Sequence, residues 1–297
     1  MRVLMLGTGA ALIDPDRNHS SILLTVRGEN YLFDCGHNAT RQMVANGVDP
    51  TTVKAIFLSH LHFDHIADFS YHMISTWMAG RQAPPTVVGP RDTQEFVDHS
   101  LIDGAYAKDI EARVQYRQRQ DNYDVLRPPV IEAEPGLVYE DDLVRVTACH
   151  VEHIPEEISP CFGLRMDTAD GESVVFSGDT APCDRLVDLA QDCDLLIHEC
   201  TFPQTAIDFR SKAGIGTWAH TSPLEFGRIA AESGTKAAVA THFGHFDTCN
   251  PVLRKLMAKH MPVEMVGPEM MEEVLGDIRR NYRKTLYLAK DGMRIDV

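Results

Sequence analysis

The run Ser59-His60-Leu61-His62-Phe63-Asp64-His65 constrains this chain more than any other seven residues in it. It sets His60, His62, Asp64 and His65 in an H-x-H-x-D-H cluster directly after the apolar stretch Ala55-Ile56-Phe57-Leu58, which reads as a buried strand. Three imidazoles and a carboxylate therefore crowd the loop at a strand's end. Neutral imidazole and carboxylate together suit zinc, and also manganese or iron. On an extended segment His60 and His62 point to the same side and can share one ion. Asp64 and His65 lie past the bend, where they can face a second. A solvated histidine-rich loop is the plain alternative, and the apolar strand leading straight into the cluster argues against it.

Two ions need further ligands, and other strand ends supply them. Val144-Arg145-Val146-Thr147 alternates like a strand and precedes His150 and His153. Ser173-Val174-Val175-Phe176 ends in Ser177-Gly178-Asp179-Thr180, and Leu195-Leu196-Ile197 leads to His198-Glu199. Ala237-Ala238-Val239-Ala240 leads to Thr241-His242-Phe243. Each β-type run delivers a histidine or an acid at its C-terminal end. The constellation resembles the metallo-β-lactamase superfamily. Leu6-Gly7-Thr8-Gly9-Ala10, Asp16 to Ser21, Phe33-Asp34-Cys35-Gly36 and Ala219-His220-Thr221-Ser222 narrow the resemblance to its ribonuclease Z and arylsulfatase-like branch.

That resemblance implies a four-layer αββα sandwich, an α/β fold with the metal site at one edge, and residues 1–297 as a single domain. It implies His60, His62 and His153 as ligands of a first ion. Asp64, His65 and His242 then serve a second, and Asp179 bridges both. His153 is preferred to His150 because the family's ligand precedes a short loop and a strand like Phe162-Gly163-Leu164-Arg165. Two divalent ions, zinc before manganese or iron, would activate a bridging water for attack on an ester. Asp64 would also orient that water or take its proton. The resemblance further implies His220 as general acid, oriented by Glu199, and Asp34 as the carboxylate that fixes a ligating imidazole.

The substrate is less constrained. The chain's formal charge of −15 opposes phosphate-backbone binding, which ordinarily uses a basic patch. Bacterial ribonuclease Z carries a long basic arm between its third histidine motif and the bridging aspartate. Only residues 154–178 separate His153 from Asp179 here, and 162–176 reads as a strand pair. The leading expectation is a small ester (sulfate, phosphate or carboxylic) as in arylsulfatase-like members, with nucleic acid disfavoured. Transfer-RNA 3′ processing, cyclic-nucleotide phosphodiesterase and lactonase activities stay open. Phe63, Phe69, Trp77, Met78, Trp218 and Phe243 are aromatic and sulfur residues near the ligands, and Trp218 is the one expected to face substrate.

The remainder is consistent with one enzyme. No run is long enough for a membrane helix. Seven cysteines without a C-x-x-C pair, and a chain opening on a strand, point to free thiols in the cytoplasm. The branch makes a homodimer an expectation. His19, His37, His72, His99, His245 and His260 match no ligand position. Residues 106–129 read as an exposed excursion, 222–233 as a helix capped by Ser222 with Pro223 at its first turn, and 284–297 as a closing hairpin about Asp291-Gly292.

Overall fold

The computed structural model describes residues 1–216 and 219–297. In chain order the strands are β1 (Arg2–Gly7), β2 (Ser21–Val26), β3 (Glu29–Phe33), β4 (Val53–Phe57), β5 (Thr86–Gly89), β6 (Val130–Glu132) and β7 (Gly136–Glu140). They continue as β8 (Val144–His150), β9 (Phe162–Thr168), β10 (Ser173–Phe176), β11 (Leu195–Glu199), β12 (Ala237–Thr241), β13 (Thr285–Leu288) and β14 (Arg294–Asp296). Two sheets result, ordered β14-β1-β2-β3-β4-β5-β6 and β13-β12-β11-β10-β9-β8-β7. In the first, β14, β1, β2 and β3 pair antiparallel, and β3 to β6 run parallel. The second repeats this plan, antiparallel from β7 to β10 and parallel from β10 to β13.

The two-residue period of a strand explains the layering. In β1, Val3 and Met5 join the core between the sheets, while Leu4 and Leu6 join a second core under the outer helices. β3 does the same, with Tyr31 and Phe33 inward and Leu32 outward. Strands buried on both faces need apolar residues at every position, which is why their runs are continuous rather than alternating. Phe33 stacks on Phe176 across the inter-sheet core, ring centroids 6.2 Å apart. The outer core of the first sheet takes Phe69, Met73 and Trp77 from the helix Phe69–Met78. The αββα architecture matches the sequence expectation.

Three details differ from it. The C-terminal segment is not a hairpin. Its turn forms at Gly292, φ +81°, but β13 lies parallel beside β12 in one sheet and β14 antiparallel beside β1 in the other. Each sheet presents an open edge there, and a self-paired hairpin would leave both edges unpaired. β6 and β7 escape the sequence reading because both are short, partly exposed edge strands, with only Val130-Ile131 and Leu137-Val138-Tyr139 as apolar residues. The excursion at 106–129 contains the helices Ala107–Val114 and Arg117–Gln120, and it is anchored by buried Ile110, Val125 and Leu126. The helix Pro223–Glu232 starts as expected, the Ser222 hydroxyl accepting from Glu225 N–H at 3.2 Å. Among the described residues no helix is long and apolar enough to cross a membrane. All seven cysteines are unpaired.

Candidate active site

Parallel pairing decides where the site sits. β3 and β4 run together in one sheet, β10, β11 and β12 in the other, so their C-terminal ends gather at one edge of the sandwich. Asp34 follows β3. His60 and His62 follow β4, and Asp64 and His65 lie in the short helix Phe63–Ile66 beyond them. His153 follows β8, Asp179 follows β10, Glu199 ends β11 and His242 follows β12. Asp34 and His242 adopt positive φ of +55° and +59°, as does Ala219 at +54°. Left-handed backbone at non-glycine residues is costly, and here it aims the side chains of Asp34 and His242 and the carbonyl of Ala219. Gly178 (φ +58°) has no such latitude: a Cβ there would lie 2.7 Å from the Phe162 carbonyl oxygen.

Besides a group of Glu199, His220 and His242, two groups of ligand-type atoms form among the residues expected as ligands, one of His60, His62, His153 and Asp179, the other of Asp64, His65, Asp179 and His242. Within each, the atoms lie within 4.8 Å of one another. Asp179 belongs to both: its Oδ2 is 3.4 Å from His65 Nε2, 3.7 Å from His153 Nε2 and 4.0 Å from His60 Nε2, and its Oδ1 is 3.3 Å from His242 Nε2. The second group is buried throughout, whereas His62 is exposed and marks the side open to solvent. All seven residues expected as ligands are thus brought together. His150 is not. As the last residue of β8 it is paired opposite Phe162, and its ring faces Phe162 and the carboxylate of Glu156, 3.3 Å away.

Four of the imidazoles have their Nδ1 fixed from behind. His65 Nδ1 is 2.6 Å from Asp34 Oδ2, and His60 Nδ1 is 3.0 Å from the Ser59 hydroxyl, which itself donates to Asp34. His153 Nδ1 donates to the Ala219 carbonyl at 3.2 Å, and His242 Nδ1 lies 2.9 Å from Thr201 Oγ1. Such bonds set the tautomer and turn the Nε2 lone pairs toward the cluster. Asp34 meets its expectation. Ser59, Thr201 and Ala219 were not singled out from sequence. Thr201 carried a signal, a hydroxyl two residues past Glu199, while Ala219 acts through its backbone and carried none.

These residues fit divalent cations. His60 Nε2 and His65 Nε2 are buried and have no hydrogen-bond partner, an arrangement that costs energy unless an ion accepts their lone pairs. Asp34, Asp64 and Asp179 are buried carboxylates within one small volume, and they require positive charge beside them. Burial holds His60 well below its usual range and also lowers His62 and His153, leaving them neutral as ligands must be. His65 is raised well above its usual value: burial opposes the charge, and Asp179, Asp34 and Asp64 outweigh it.

Beside both groups stands His220, ring centroids 5.0 Å from His153 and 5.6 Å from His242. Its Nδ1 meets Glu199 Oε1 at 2.7 Å. Burial works against its charged form, yet Glu199 first, then Asp179 and Asp64, push it up to about 9. Glu199 is held in turn by the Thr180 and Thr221 N–H groups and by the Thr201 hydroxyl. The structure thus places Glu199 and His220 in direct hydrogen-bond contact.

The ribonuclease Z of Mycobacterium marinum is 32% identical to this chain over 271 residues, covering 82% of it and 94% of that protein. A protein-family model described as Anti-Pycsar protein Apyc1 matches residues 1–208. The chain belongs to the Apyc1 family and to the ribonuclease Z branch of the metallo-β-lactamase superfamily. Among solved structures, the metallo-β-lactamase fold protein YhfI from Bacillus subtilis superposes with a TM-score of 0.71 at 20% identity, covering 99% of each chain. The short form of human tRNase Z gives 0.68 at 22% identity, covering 100% of this chain and 99% of that one. The protein is therefore a metal-dependent hydrolase acting on ester bonds, and it binds divalent metal.

Of the other residues expected near the metals, Phe69, Trp77 and Phe243 are core residues, 0–1% exposed. Phe63 is 58% exposed beside the cluster, its ring against His19, which also meets His37. Trp218 lies outside the described residues. His198 is buried against Phe226, its Nδ1 bonded to the Glu199 carbonyl, away from both groups.

Proposed function

We propose that this enzyme hydrolyses phosphodiesters whose leaving group is a sugar alcohol, with precursor transfer RNA as its first candidate substrate. The observation that carries the reading is the His220–Glu199 pair. An acid held protonated beside the ligand groups serves an alkoxide, which departs poorly without a proton. A nitrophenolate or aryl leaving group has little need of it. The arylsulfatase-like expectation thus gives way to a phosphodiester one, and the curated relatives named ribonuclease Z favour RNA over the disfavour first read from net charge.

In this reading His60, His62 and His153 hold one divalent ion, and Asp64, His65 and His242 a second, with Asp179 between them. Such ions, when bound, lower the pKa of water and neutralise charge on phosphoryl oxygens. Asp64 orients the attacking water and accepts its proton. His220, whose Nδ1 is engaged by Glu199, has Nε2 left to protonate the departing oxygen. Glu199 positions that imidazole and stabilises its charge.

A second reading, a small or cyclic nucleotide as substrate, is favoured by one feature. β9 and β10 are joined by a tight turn in which Thr168 N–H bonds to the Glu172 carbonyl, so no basic arm extends there. Metal-analysed protein should be assayed on a transfer-RNA precursor, a cyclic mononucleotide, bis-nitrophenyl phosphate, nitrophenyl sulfate and a lactone. Turnover of phosphodiesters alone is the expected result. Turnover of the sulfate or the lactone alone would overturn the reading.

A further inference from the structure

Phe63 stands between two ligand-type residues, His62 and Asp64, and is 58% exposed. A phenyl ring ordinarily contributes its large apolar surface to a core, as Phe69 and Phe243 do here. Single apolar residues at a surface are common and by themselves mean nothing. Two observations set this one apart: where it stands, and how firmly it is held.

His19 meets the Phe63 ring edge to face, centroids 5.5 Å apart and planes at 80°. His37, which is exposed, meets His19 in turn at 6.0 Å and 61°. An edge-to-face pair uses at most one face of either ring, so Phe63 keeps a free face whichever partner presents its edge. The backbone behind the pair has no slack. A Cβ at Gly7 would lie 1.8 Å from the His19 carbonyl oxygen. One at Gly36 would lie 2.8 Å from the His19 carbonyl carbon and 2.3 Å from the Asp64 carbonyl oxygen. Gly36 N–H donates to the Ser20 carbonyl at 3.1 Å, and Cys35 N–H to the His65 carbonyl at 2.7 Å. The loop carrying His19 and the helix Phe63–Ile66 are thus tied to the same two residues, Cys35 and Gly36. The three rings therefore keep a fixed place relative to the ligand groups, and such preorganisation spares a bound substrate the cost of ordering them.

We propose that Phe63 is the platform on which the base beside the scissile phosphate stacks, braced by His19 and rimmed by His37; this rests on the phosphodiester reading above. Phe63 is joined in the chain to two of the residues that would hold the metals, so a phosphodiester bound there brings its organic substituent to the same mouth. A free aromatic face favours a flat π-system, which every base has. The His37 ring offers a hydrogen-bonding nitrogen to a polar edge, which suits a heterocycle better than an alkyl group.

The test compares thymidine 5′-nitrophenyl phosphate with methyl nitrophenyl phosphate. The two share the scissile bond and the leaving group, and differ in carrying a nucleoside or a methyl group. In metallated protein, Phe63→Ala should lower the ratio of kcat/KM for the thymidine ester to that for the methyl ester by about tenfold, as loss of a stacking ring commonly does. Any loss of metal would lower both rates together, so the ratio isolates the ring. Phe63→Trp, which keeps a flat face, should restore the ratio, and Phe63→Leu, apolar but not flat, should not. A ratio that stays constant in Phe63→Ala, or one that leucine restores as fully as tryptophan, would overturn the proposal. Equilibrium dialysis gives a readout without turnover: the Kd of thymidine 5′-monophosphate should rise about tenfold in Phe63→Ala, and that of inorganic phosphate much less. That result with neither ester hydrolysed would support the platform and fault only the phosphodiesterase reading. Absent nucleotide binding, or binding that Phe63→Ala leaves intact, rejects the platform. A transfer-RNA precursor and a cyclic mononucleotide, assayed with the same variants, show which source delivers the base: its kcat/KM falls in Phe63→Ala and returns in Phe63→Trp.

Discussion

Replacing Asp34 by asparagine changes one oxygen to an amide nitrogen and should cost the cluster the Nε2 lone pair of His65, on the far side of the imidazole that Asp34 holds. Asp34 accepts three hydrogen bonds, from Ser59 N–H at 2.8 Å, from the Ser59 hydroxyl at 2.9 Å and from His65 Nδ1 at 2.6 Å. A carboxylate can accept all three, but an amide has a single acceptor oxygen. If that oxygen keeps the backbone N–H of Ser59, the amide NH2 faces His65 Nδ1. The imidazole then avoids a donor–donor contact only by carrying its proton on Nε2, which faces Asp64 and Asp179. That nitrogen has no lone pair left for an ion. Disturbing such supporting contacts ordinarily weakens metal binding about 10–100-fold. At metal one hundred times the original Kd, binding stabilises the fold by about 2.7 kcal/mol; hundredfold weaker binding leaves about 0.4 kcal/mol. The assay is metal content per chain after dialysis against buffered zinc, with urea unfolding in metal and in chelator. The Asp34→Asn protein should lose about 2 kcal/mol of metal-dependent stability by this linkage. Unchanged metal content and unchanged metal-dependent stabilisation would refute the tautomer argument.

Three other outcomes follow from the same geometry. His220→Ala should slow a dinucleotide by about 10²–10⁴-fold, the usual contribution of a general acid, and bis-nitrophenyl phosphate far less; equal losses on the two would argue against proton donation. His153→Ala should lower bound metal measurably while His150→Ala leaves it unchanged, and the reverse result would transfer the ligand role to the end of β8. Gly178→Ala should destabilise the protein by about 1–3 kcal/mol, because left-handed backbone is costly for alanine and the added Cβ meets the Phe162 carbonyl. Urea denaturation of the metal-free protein measures that cost, and a change under about 0.5 kcal/mol would show that the loop carrying Asp179 yields easily.

Much of the site was legible because its chemistry is punctuated by local pattern. Apolar runs ending in His60, Asp179 and His242 announce strands whose ends carry ligands, and the continuity of those runs marks strands buried on both faces. The preference for His153 came from a resemblance to known motifs, and the structure supplies the reason for it: pleating points the His150 ring at Phe162, while His153 lies past the strand. The short edge strands β6 and β7 and the helix Gln204–Lys212 were illegible. They bury too little to leave a periodic apolar signal, the helix only Ala206.

The sequence alone therefore determined the ligand-type residues and the strand ends that present them, because each depends on neighbours within a few positions, and its resemblance to known motifs implied the class of fold. Tertiary structure decided everything that depends on long-range proximity. It brought Glu199 within 2.7 Å of His220, aimed the Ala219 carbonyl at His153 and set Thr201 behind His242. It sent β13 and β14 to different sheets, where two open edges outweighed one local turn. Separation along a chain carries no distance in space, and only the packing of the two sheets converts one into the other.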